Sequence, residues 1–183
     1  MLSRFELFVL VRNQVADRRR LRRSLALEAV MEDLAAKLGQ DGSRWGMAGL
    51  GADVDGQLCE HNPDRRGLVA EELLLAEGAP AEVAAAVRER LRATPAEMSL
   101  LAAALGGAEA IVDDVYHAVE AGDPLEDVEA AAMARRLVRA AERRNDPEAQ
   151  RALACLARLG ISIDEAAALT VAAMTRVRED LRL

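Results

Sequence analysis

Through most of the chain apolar residues return every third or fourth position, the spacing of one helix face rather than of a strand. Leu27, Val30, Met31, Leu34 and Leu38 share one such face. Ala130, Met133, Ala134, Leu137 and Ala141 share another, with Arg135, Arg136 and Arg139 opposite, and Ala166, Leu169, Thr170, Ala173 and Val177 make a third. No segment alternates apolar and polar residues with β-branched or aromatic side chains for long enough to predict a strand.

The prolines and glycines punctuate these stripes. Thr94-Pro95-Ala96-Glu97 and Asp123-Pro124-Leu125-Glu126 each place a capping side chain three residues before a glutamate, with proline at the first helical position, and Asp146-Pro147-Glu148 opens another helix with a cap and a proline. Ser162-Ile163-Asp164-Glu165 is a capping box without the proline. Gly39, Gly78, Gly122 and Gly160 fall where helices should stop. The expected fold is an all-α bundle of roughly nine helices, at about 3–12, 18–38, 43–51, 64–77, 80–92, 95–105, 108–121, 125–144 and 147–181, the last broken near Gly160. Between Asp53 and Pro63 lies a stretch with neither helical period nor caps, the kind of loop that often carries function.

Composition and charge sharpen this. With 51% hydrophobic residues and only 2% aromatic, the core must be built from Ala, Leu and Val, which suits closely packed helices. A net charge of −7 and a pI of about 5.0 argue against a nucleic-acid backbone as the main partner. The run Arg18–Arg23 lacks interleaved aromatic residues for stacking on bases and reads as a solvated helix face. Cys59 and Cys155 match no metal or redox spacing and are expected as reduced thiols. The apolar stretch from Phe5 to Val11 is interrupted by Glu6, is too short to span a membrane and lacks a small-residue cleavage site, so a cytoplasmic location is expected.

Candidate chemistry begins with an anomaly: Arg23 stands on the apolar face of its helix, one turn before Leu27. Either it snorkels outward past the core or its charge meets something inside. His117 beside Tyr116 has no partner of catalytic type, and two histidines offer no ordered triad. Gly49-Leu50-Gly51 follows no strand and is no phosphate loop.

The segments RRSLALEAVMEDLAAKLG, WGMAGLGADVDG, NPDRRGLVAEELL, AAAVRERLR and LGISIDEAAALTVAAM together resemble the small bacterial HD-domain metal-dependent phosphohydrolases. The resemblance implies a single helical domain over 1–183, with the HD-like motif region at about 18–105 and a C-terminal helical portion at about 106–183. In that family histidines, a His-Asp doublet and a later aspartate hold a divalent metal that activates water against a phosphate ester. Residue by residue, Arg23 stands at the first histidine position, Ala52-Asp53 replaces the doublet, and Asp55, which often accompanies it, is kept. Asn62, Arg66 and Arg90 stand at further histidine positions, and Ala104 corresponds best to the late aspartate.

These departures imply a degenerate centre. Lacking the imidazole ligands, the chain is expected to hold no catalytic metal and no cofactor, and to act as a pseudoenzyme in binding or scaffolding. If the fold is kept, Arg23, Arg66 and Arg90 converge near Asp53, putting positive charge where metal ions would sit. The structural outcome is that they pair with Asp53 and fill the cavity; the functional one is a pocket holding a small anion or phosphorylated ligand by bidentate contacts. Two alternatives stand beside this: a weak metal-dependent hydrolase site built from Asp53, Asp55 and His61, with Glu60 nearby, and a purely structural module that homodimerises through an Ala-rich helical face.

Overall fold

Local capping sets most of the elements in the computed structural model, which describes residues 2–143 and 146–181. Ser3 and Glu6 close a capping box that starts α1 (Arg4–Gln14). The Asp17 side chain accepts from the Arg19 N–H to open α2 (Arg18–Leu38), and Gly39, at φ 65°, closes it in the left-handed conformation. Asp41 caps α3 (Gly42–Gly51) through the Arg44 N–H. A 3-10 turn at Pro63–Arg65 precedes α4 (Leu68–Ala76), and α5 (Ala81–Arg92) follows Pro80. Then come α6 (Leu100–Glu120), a second 3-10 turn at Leu125–Asp127, and α7 (Ala130–Arg143). Asp146 caps α8 (Pro147–Leu159), Ser162 and Glu165 box α9 (Ile163–Arg176), and α10 (Arg178–Leu181) follows. The all-α expectation holds: among the described residues there are ten α-helices and no strand.

Two 21-residue helices, α2 and α6, run through the centre. α2 packs on α3, α6 and α9, while α6 also takes α5 and α8. The stripe read from α2 is the buried one: Leu27, Val30, Met31 and Leu34 are all essentially inaccessible. α3 lies so close to α2 that a Cβ on Gly49 would stand 2.6 Å from the carbonyl carbon and oxygen of Leu27. No side chain fits there, which is why a glycine occupies the middle of that helix.

Three expected boundaries differ. The break expected between helices at 95–105 and 108–121 is absent, because Gly106 and Gly107 lie inside one continuous α6. Their missing side chains admit α8 instead: a Cβ on Gly107 would meet Leu156 at 2.8 Å and one on Gly106 would meet the Cys155 sulfur at 3.3 Å. Only half of the box expected at Thr94 forms: Glu97 Oε2 accepts from both the N–H and the hydroxyl of Thr94, while the Glu97 N–H goes to the Thr94 carbonyl, so the pair ties off a turn and α6 starts later from the Ser99 cap. The helix expected from 125 divides into the 3-10 turn and α7, with Pro124 before the turn and no side-chain cap; its expected end at 144 lies outside the described residues. No helix among the described residues is long and apolar enough to cross a membrane.

Candidate functional site: an arginine–carboxylate cleft

Arg23 does not snorkel outward. Its Nη1 donates to Asp53 Oδ2 at 2.6 Å, its Nε and Nη2 grip both oxygens of Asp113 at 2.6 and 3.0 Å, and Nη2 also reaches Glu109 Oε1 at 3.4 Å. Asp53, in the turn after α3, is the hub. Its Oδ1 accepts from Arg66 Nη2 at 2.7 Å and from Arg90 Nη2 at 3.4 Å. The side chain of Arg90 is 2% exposed, and its Nη1 donates to both oxygens of Glu109 at 2.8 and 3.0 Å while Nη2 donates to the Ala52 carbonyl. Three guanidiniums therefore face three carboxylates, which is the compensation that buried charge requires. Arg23, Arg66 and Arg90 all reach Asp53.

Burial alone would push the Asp53 carboxyl up, but the charges of Arg23, Arg90, Arg66 and Arg20 outweigh it and hold the group below its usual value. Burial likewise opposes the Arg23 charge, and the hydrogen bond to Asp113 with the charges of Asp53 and Glu109 overrides it. Asp53 is thus a fixed anion and a poor proton acceptor. The described residues lining the cleft offer guanidiniums, carboxylates and small or apolar groups, with no imidazole, hydroxyl or thiol to serve as nucleophile.

The other candidate positions have different duties. Asp55 is fully buried, and its Oδ2 accepts from the backbone N–H groups of Gly67 at 2.7 Å and Ala70 at 3.2 Å, so it caps the start of α4. His61 and Glu60 are exposed at the far end of the turn segment, and Asn62, also exposed, precedes the 3-10 turn without capping it. Among the described residues no three His, Cys, Asp or Glu side chains are grouped as a metal site, so Asp53, Asp55 and His61 are not brought into one. Ala104 is buried in the core and does not line the cleft. Cys59 is buried, and burial followed by the Asp55 charge pushes its thiol up, which suits an inert sulfur.

Glu109 and Asp113 escaped the sequence reading. With Asp114 they are the only charged residues between Leu100 and Tyr116, and they lie one turn apart on one face of α6, the same kind of anomaly that marked Arg23. Arg20, Gly56, Glu148 and Arg151 complete the lining of a cleft of about 440 Å³. Arg151 braces it from behind, its Nη2 donating to the carbonyls of Arg90 and Ala93 at 2.7 and 2.6 Å. The mouth is less balanced than the floor. The nearest carboxylate to Arg20 is Asp17 at 4.0 Å, and Arg66 has a buried Nε without a partner. Arg20 Nη1 and Arg66 Nη2 both approach Gly56, to 3.5 and 4.0 Å from where its Cβ would stand.

No family model matches the chain, and neither does a curated protein or a solved structure.

Proposed function

We propose that this chain is a non-catalytic binding module, an HD-like centre in which arginines stand in for metal ions, and that the mouth of its cleft holds a small oxyanion such as phosphate or the phosphate end of a larger ligand. The observation that carries the reading is the division of labour among the arginines. Arg23 and Arg90 are committed to Asp53, Asp113 and Glu109, whereas Arg66 and Arg20, with side chains 37% and 44% exposed, meet at Gly56 on the solvent side. A guanidinium fork with free N–H groups matches the planar spacing of phosphate or carboxylate oxygens. The glycine leaves the backbone bare at that point, so an anion can approach both forks together.

The test is thermal unfolding in phosphate against chloride at matched ionic strength. At ten times its dissociation constant phosphate stabilises by RT ln 11, about 1.4 kcal/mol, enough to raise the unfolding temperature measurably. Wild type is expected to rise, and Arg66→Gln and Arg20→Gln are expected to lose the rise. Arg90→Gln unfolds at lower temperature because it takes from Glu109 its two short bonds and leaves only the 3.4 Å contact with Arg23. An equal increment in wild type, Arg66→Gln and Arg20→Gln would leave only exclusion of phosphate from the surface and would remove the reading.

A further inference from the structure

A second surface lies on α1 and α2, away from the cleft. The chain has two phenylalanines, Phe5 and Phe8, and both stand on α1 three residues apart, on one face. Phe5 is 71% exposed. Phe8 lines a groove of about 530 Å³ with Leu21 and Leu25 of α2, both only partly buried, and the guanidiniums of Arg18 and Arg22 flank this floor. Neither arginine has an ion-pair partner among the described residues. Large aromatic groups left at the surface of a chain that is 2% aromatic, beside unpaired arginines, mark a contact surface rather than scatter.

Charge says what kind of contact. The groove carries Arg4, Arg18 and Arg22 against Asp180, and Arg4 is taken by Glu28, so Arg18 and Arg22 give it a basic edge on a chain of net charge −7. Two copies meeting through this face would repel. One copy's basic face on another's acidic surface would be a head-to-tail contact that does not close, and such contacts propagate into fibres. A flat anionic bilayer fits poorly too, because the site is concave and Asp180 puts a carboxylate on its wall. Arg18 and Arg22 are one helical turn apart, with Leu21 and Leu25 at the same spacing beside them, so an occupant with the same period engages both rows together.

We infer that the groove between α1 and α2 receives an acidic amphipathic helix of a partner protein, its apolar side chains on Phe8, Leu21 and Leu25 and its carboxylates on Arg18 and Arg22. This stands independently of the anion reading of the cleft.

The experiment uses the full chain and a fluorescent 18-residue synthetic helix with leucine at positions i, i+3, i+4 and i+7 and glutamate at the remaining exposed positions, followed by polarisation. Saturable one-to-one binding that weakens with added salt is expected. The double variant Arg18→Glu/Arg22→Glu should bind this peptide at least about tenfold more weakly and should acquire binding to the matching lysine peptide. Phe5→Ala should weaken binding about fivefold with unfolding temperature unchanged. Should the charge reversal fold poorly, Arg18→Gln/Arg22→Gln takes its place with the same loss expected. The inference is overturned if the glutamate peptide does not bind, if the reversed protein binds it equally, or if wild type prefers the lysine peptide. It is overturned too if the protein sediments with phosphatidylserine vesicles through Arg18 and Arg22 and the glutamate peptide does not compete.

Discussion

Arg90, two residues from the C-terminus of α5, grips both oxygens of Glu109 in the middle of α6, with 2% of the arginine side chain and 17% of the glutamate side chain exposed. The pair ties two helices together at the floor of the cleft, and the guanidinium also holds the Ala52 carbonyl, which fixes the turn bearing Asp53. Removing one member of such a pair leaves an uncompensated buried charge. Glu109→Ala is expected to cost about 3 kcal/mol in urea unfolding, whereas Arg139→Ala, at an exposed position on α7, should stay within about 0.5 kcal/mol. Similar values for the two would mean that the ion pair does not brace the fold.

Asp53 gives the cluster a pH dependence of defined sign. Its carboxyl is held below the unfolded value of about 3.9, so its contribution is fully present above that value and is lost as the pH falls through the folded one. Asp53→Ala should cost about 3 kcal/mol at pH 7 and Asp53→Asn less, because the amide still accepts a hydrogen bond. The gap between wild type and Asp53→Asn should shrink below about pH 4, where the unfolded chain takes up a proton that the folded protein still resists. A gap that stays constant from pH 7 to pH 3 would show that the charge on Asp53 is immaterial.

Periodicity and caps made much of this fold legible: the buried face of α2, the box of Ser162, the cap of Asp146 and the stop at Gly39 all read directly from spacing. What was not legible depended on distant partners. Gly106-Gly107 resembles a helix stop until α8 is seen to need the space, and the Thr94 box stays half-made, its hydroxyl donating to Glu97 instead of capping an N–H, so a turn and not a helix follows. In the site, Arg23, Arg66 and Arg90 could be singled out, yet the carboxylates that neutralise them come largely from α6, some 19 to 90 residues away in sequence. Asp55 was grouped with Asp53 by proximity in the chain, but the turn between them points one at the cleft and the other at the start of α4.

Metal content tests that separation of duties. Purified protein is expected to carry well under one equivalent of iron, manganese, nickel or zinc by plasma mass spectrometry, because Asp53 is surrounded by guanidiniums and Asp55 faces backbone N–H groups. Asp55→Ala should still lower stability, by about 2 kcal/mol, through the lost cap and the two stranded N–H groups. Stoichiometric metal that vanishes in Asp53→Ala would restore a metal-dependent hydrolase.

The glycines of α3 and α6 allow a comparison in which helix propensity and packing oppose each other. Replacing a mid-helix glycine by alanine gains about 1 kcal/mol in backbone entropy wherever space permits. At Gly107 the added methyl would meet the end of the Leu156 side chain at 2.8 Å, and a leucine terminus can rotate or shift. Repacking there should cost about 1–2 kcal/mol, so Gly107→Ala is expected to fall within about 1 kcal/mol of wild type. At Gly49 the methyl would stand 2.6 Å from the Leu27 carbonyl carbon and oxygen and 2.8 Å from the Glu28 nitrogen, all backbone atoms of α2. They cannot yield unless the whole helix moves, and α2 carries both Arg23 and the buried stripe of Leu27, Val30, Met31 and Leu34. Gly49→Ala should therefore lose at least about 2 kcal/mol despite its better propensity, and by displacing Arg23 it should also weaken any phosphate-dependent rise in unfolding temperature. Equal stabilities for the two variants in urea would mean that α2 and α3 are not in backbone contact.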